Sequence, residues 1–92
     1  MTNKKTTPMT KEDFAFALDK IKKEIENKTK TNITPEEKDR LFIFLNIVNS
    51  YTYDNRLEKK GLIGYGVIDS ALWGTGIYDI GQELLKFDQG IR

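Results

Sequence analysis

The sequence predicts a mostly α-helical protein, a small bundle of three to four helices with one long central helix. Three observations carry this expectation. Apolar residues recur at helical spacing through much of the chain. Two helix-start signals stand at Thr10 and at Thr34-Pro35-Glu36-Glu37. Cysteine is absent, so no disulfide framework takes the place of a packed core. The 92 residues make one domain, 10–92, behind a polar tail, 1–9. A chain of this length buries only a little over ~60% of the surface its unfolded form exposes, so the core is small. Hydrophobic residues at 38% and charged residues at 32% belong to a globular protein rather than a disordered one.

The tail, rich in Lys and Thr, has almost nothing to bury and is expected to be disordered. The first helix begins after Thr10, whose hydroxyl suits the cap, with Asp13 in an imperfect capping box and Met9 and Phe14 at staple spacing. Phe14, Ala17, Leu18, Ile21 and Ile25 form its apolar stripe, and Phe16 points away from it. Asp19 with Lys23, Glu24 with Lys28 and Glu26 with Lys30 stand four apart in the favourable order. A polar connection over 28–33, with Asn32 as the helix stop, leads to the second start signal. There Thr34 caps, Pro35 fills the first position and Glu37 completes the box.

From Thr34 the apolar pattern continues towards Leu57. Leu41, Phe44, Leu45, Val48 and Tyr51, widened by Ile47, give a core stripe. Phe42, Asn46, Asn49, Tyr53 and Leu57 give a second line about a third of a turn away. Two lines imply two partners, and hence a central helix or an interaction surface. Lys59, Lys60 and a left-handed Gly61 suit its C-terminus, although Asn55 offers an earlier break.

Six glycines fall within the 21 residues from Gly61 to Gly81, and each interior glycine costs a helix roughly 1 kcal/mol relative to alanine. The last third is therefore read as two short helices, near 67–73 and 77–87, joined by Gly74-Thr75-Gly76. Trp73, Ile77, Ile80, Leu84 and Phe87 share one face, with Ile68 and Leu72 beside it. The alternative is an α+β protein with a C-terminal hairpin turning at Gly74-Thr75.

Composition excludes more chemistry than it suggests. With no histidine and no cysteine, triads, thiolate nucleophiles and the usual zinc sites cannot be built. Asp54, Glu58, Asp69, Asp79 and Glu83 are carboxylates in search of a role, but their spacing matches no metal loop, and no cofactor is expected. Asp69 is expected either to bond backbone amides at a helix N-terminus or to carry function on the Trp73 face. Gly64-Tyr65-Gly66 and Gly74-Thr75-Gly76 lack the third glycine, the preceding strand or the Gly-Lys-Ser/Thr of phosphate loops. Lys20, Lys22, Lys23, Lys28 and Lys30 are interrupted by acids, so weak nucleic-acid binding is kept only as an alternative. The formal charge of +1 hides a gradient. Residues 1–30 hold eight Lys against five acids, and residues 61–92 hold two basic against four acidic residues. The absence of a signal peptide and of a long apolar run sets the expected location as cytoplasmic, and the excess of twelve Lys over three Arg favours a bacterial or phage source.

The expected function is accordingly a small non-enzymatic protein-protein interaction module, an inhibitor or adaptor that binds a larger protein or a second copy of itself. Phe42, Tyr53, Leu57, Tyr65, Trp73 and Tyr78 are the candidate contact residues, because Tyr and Trp offer large area with a polar handle. The amphipathic first helix, the loop, the Thr34-Pro35-Glu36-Glu37 start and the apolar second helix resemble in outline the small immunity proteins of class II bacteriocins. The resemblance ends before the C-terminal third, and it implies a second candidate function, immunity to such a peptide.

Overall fold

In the computed structural model, which describes residues 8–92, five helices follow one another: α1 (Lys11–Thr29), α2 (Pro35–Asn49), α3 (Arg56–Lys59), α4 (Tyr65–Leu72) and α5 (Tyr78–Gln89). No strand occurs among the described residues, and the protein is a mostly helical small bundle. Helix α1 packs against α2 and α5, and α4 lies on α5. No helix among the described residues is long and apolar enough to cross a membrane.

Most of the expected polar tail lies outside the described residues; Met9, at its end, is buried at the staple position beside Phe14. Thr10 caps α1 by accepting from the Asp13 amide at 3.0 Å. Phe14, Ile21 and Ile25 enter the core, while Phe16 is 73% exposed. Asp19 and Lys23 pair at 3.2 Å on the surface, but Lys28 turns instead to Asp79 of α5, 3.0 Å away. Helix α1 ends at Thr29, three residues before the expected stop at Asn32. The α2 start is the full capping box: Thr34 accepts from the Glu37 amide at 3.1 Å, and Glu37 accepts from the Thr34 amide at 3.0 Å.

The long helix to Leu57 does not form; α2 stops at Asn49. The Ser50 and Tyr51 amides bond back three residues, to Ile47 and Val48, which tightens the last turn. Thr52 and Asn55 then satisfy each other's main chain, at 2.7 and 3.1 Å, and the Asn55 amide group donates to the Ser50 carbonyl at 3.0 Å. Short polar side chains that bond nearby backbone offer it an alternative to the helical ladder. The result is that Phe42 and Leu57 do not share a helix face with Tyr53, and α3 becomes a separate single turn. Gly61 does take the left-handed conformation, with φ of 98°, but after α3.

The break sends Tyr51 into the interior, where it is 1% exposed. Its ring meets Phe87 edge-on at 5.2 Å, and Phe87 in turn neighbours Phe14 at 6.5 Å. Its hydroxyl donates to Asp88 at 2.7 Å, and the Gly61 amide donates to both oxygens of the same carboxylate at 2.9 Å. Asp88 is 3% exposed, so these bonds offset a desolvation cost that would otherwise be prohibitive. Nearby, Arg56 donates to the main-chain oxygens of Arg92 and Tyr53, Lys60 donates to that of Ile91, and the Met9 amide donates to that of Arg92. The end of α5 is thus bound to the α2–α3 junction and to the entry of α1. Cations at its carbonyl end also complement the helix dipole.

Burial and the Asp88 hydrogen bond push the Tyr51 phenol well above its ordinary value of 10.0. The protonated form is the one that the fold favours. Its stabilisation is present below pH 10 and lost as pH rises above that value towards the raised one. Tyr51→Phe should lower the stability at pH 7 by about 1–3 kcal/mol in denaturant titrations, since it leaves a buried acceptor short of a donor. The deficit relative to the native chain should shrink as the pH is taken above 10.

Candidate partner-binding surface

Helix α4 is short, and its two faces differ sharply. Ile68 and Leu72 are fully buried against α5. The close approach depends on Gly81, where an added Cβ would stand 2.6 Å from Ile68 Cγ2 and 3.0 Å from Leu72 Cδ1. On the outer side Tyr65 is 60% and Trp73 75% exposed. The chain then turns through Gly74, at φ of 81°, and Thr75, whose amide and hydroxyl both donate to the Leu72 carbonyl, at 3.0 and 2.7 Å. This turn ends one helix and leads into the next, so the hairpin alternative at Gly74-Thr75 is not adopted.

The Gly76 amide donates to Oε2 of Glu37 at 2.8 Å, so the carboxylate that completes the α2 capping box also fixes the α4–α5 joint. Main-chain donors at Thr34 and Gly76 hold the Glu37 carboxyl below the ordinary carboxylate value. Fixing the joint places Tyr78, the first residue of α5, against Trp73. Their centroids are 5.7 Å apart and their rings stand at 89°. The Tyr78 hydroxyl donates to Oδ1 of Asp69 at 2.6 Å, and that bond is the main reason its phenol lies above the ordinary value. Asp69 therefore neither caps a helix N-terminus nor enters the core; it orients an aromatic ring at the surface.

Of the six candidate contact residues, Tyr65, Trp73 and Tyr78 belong to this region, with Val67 and Leu62 also exposed nearby in sequence. Phe42, 47% exposed, lies on α2 beside exposed Ile43, and Leu57, 62% exposed, lies on α3. Tyr53 is partly buried and packs against the core. Its hydroxyl donates to the Met9 carbonyl at 3.0 Å, its ring meets Phe14 at 6.1 Å, and the Arg56 guanidinium lies 3.8 Å over it. Sequence reasoning missed the pairing of Asp69 with Tyr78; the nine-residue interval spans two helices and carries no periodic signal. An open groove of about 180 Å³ between α1 and α5 is lined by both charge signs, Lys20 and Lys86 against Glu24 and Glu83. Among the described residues no group of three or more His, Cys, Asp or Glu is placed to hold a metal ion. No protein-family model, curated protein or solved structure matches the chain.

Two variants test how the surface is held. Gly81→Ala gains about 1 kcal/mol of helix propensity but must displace Ile68 Cγ2, a branch fixed by the helix backbone, at an overpacking cost of about 1–3 kcal/mol. A net loss of stability is expected, and Ile68→Ala combined with Gly81→Ala should be less destabilising than the sum of the two single changes in a thermodynamic cycle. Glu37→Gln keeps only one oxygen acceptor for two amides and should destabilise the fold at neutral pH. In the native chain the folded-state value for Glu37 is depressed, so its stabilisation is present above the ordinary value of 4.5 and is lost as pH falls through the depressed one. The stability difference between the chains should therefore narrow on acidification, as followed by circular dichroism.

Proposed function

We propose that the chain is a small non-enzymatic interaction module that binds another protein through the outer face of α4 and the first turn of α5. On this reading it serves as an inhibitor or adaptor, a cytoplasmic accessory factor of a bacterium or phage. Trp73 is the observation that carries it. The ring is three-quarters exposed, yet Tyr78 and Asp69 hold its surroundings in one arrangement. An exposed Trp in a fixed setting offers a large apolar area with little ordering cost on association, which is the usual chemistry of an interface anchor. Tyr65 extends the same face. The absence of histidine and cysteine supports a binding role over an enzymatic one.

The test is affinity capture from the source cell with the native chain and with Trp73→Ala, both shown to be folded by circular dichroism. Trp73 is 75% exposed and meets the Tyr78 ring at the surface, so the variant should melt close to the native chain, while affinity for the captured protein should fall at least thirtyfold, about 2 kcal/mol for loss of an anchor. Capture of the same protein with unchanged affinity would end this reading. Sedimentation over a range of concentrations detects a second copy as the partner, in which case Trp73→Ala should abolish self-association.

A further inference from the structure

We infer that the notch between Trp73, Tyr78 and Asp69 receives the guanidinium of an arginine on the partner protein. The inference rests on the binding role proposed for this face and names the chemistry that it recognises. Two rings at 89° with centroids 5.7 Å apart leave a right-angled corner in which one cation can lie against both π-systems. Trp73 is open to solvent over most of its surface. Asp69 and Trp73 stand four residues apart at the end of α4, on one side of the helix. Asp69 uses Oδ1 to accept from Tyr78, and Oδ2 has no hydrogen-bond or ion-pair partner among the described residues.

The charge is complementary as well. Of the four acids in residues 61–92, Asp79 pairs with Lys28, Glu83 pairs with Lys86 and Asp88 is buried, which leaves the Asp69 carboxylate as the exposed negative charge of this region with no ion pair among the described residues. A planar, weakly hydrated guanidinium can stack on the indole while its fork donates to the carboxylate, which a compact ammonium cannot do. The molecule already makes the same kind of contact internally, where Arg56 stacks 3.8 Å over Tyr53.

Trp73 is the only tryptophan, so its emission reads the notch directly. The full chain is titrated with Nα-acetyl-arginine methylamide and with the matching citrulline compound, a neutral isostere. Arginine should change the emission saturably, with citrulline roughly fivefold weaker or more, the scale of an exposed cation–π contact aided by a carboxylate. Asp69→Asn, and Asp69→Ser as a second variant, should weaken arginine binding by at least twofold towards the citrulline level, with the remaining difference due to the cation–π contact. Equal binding of the two compounds to the native chain, or undiminished arginine binding without the Asp69 carboxylate, overturns the inference. If the two compounds bind equally while Trp73→Ala still loses the captured protein, the protein-binding role stands and only the cation is wrong. If arginine is selected while capture survives Trp73→Ala, the site stands and the protein-binding role falls.

Discussion

A buried carboxylate held by two donors governs the shape of this molecule. Asp88 lies near the end of α5 with almost no exposure, and a single-site loss of its partners would leave a charge stranded in apolar surroundings. Its donors come from Tyr51 and Gly61, which lie on either side of α3. A helix continued from Thr34 to a cap at Gly61 would set Tyr51 and Gly61 roughly 15 Å apart along one straight axis, so they could not converge on one carboxylate. The kink after Asn49, the single turn of α3 and the left-handed Gly61 are therefore one arrangement. The cations Arg56 and Lys60 add bonds to the main-chain oxygens of Arg92 and Ile91, just past α5, and Met9 joins the same knot from the start of α1.

With that end fixed, the aromatic residues divide into two groups. Phe14, Tyr51, Tyr53 and Phe87 meet one another inside the bundle, where they link α1, the α2–α3 junction and α5. Trp73 and Tyr78 meet each other outside it. The outer pair is no looser for being outside. Glu37 reaches from the α2 cap to the Gly76 amide, and Gly81 lets α4 sit close on α5, so the surface aromatics rest on elements seated elsewhere in the fold. A face held in this way loses little freedom when a partner covers it, which is the physical case for a binding role.

Local chemistry was legible in the sequence wherever a few adjacent residues decide the outcome. The Thr10 cap, the Thr34–Glu37 box, the left-handed Gly61 and the two short helices about Gly74-Thr75-Gly76 are all of this kind. The end of α2 was misread because apolar spacing continues through Tyr51, Tyr53 and Leu57 although the helix does not. The Thr52–Asn55 pair, three apart, was the local sign of a break. Tyr65, Trp73 and Tyr78 were named from residue type alone, which does not say that they would lie in one region, and Tyr53 lies off the expected helix face for the same reason that α2 was read too long. The partners of Asp88, 37 and 27 residues away, leave no trace in periodicity, and neither does the Tyr78–Asp69 bond.

Hydrogen exchange at the Gly61 amide tests the governing role of Asp88 most directly. Gly61 itself lies in an exposed turn between short elements, where an amide without a strong partner exchanges rapidly. The structure gives that amide a buried carboxylate and binds the turn to the end of α5. Its protection should therefore match that of core amides such as Leu84, and exchange should require global unfolding. Exchange at the rate of an open loop while Leu84 remains protected would contradict the account, because the junction would then open without the bundle.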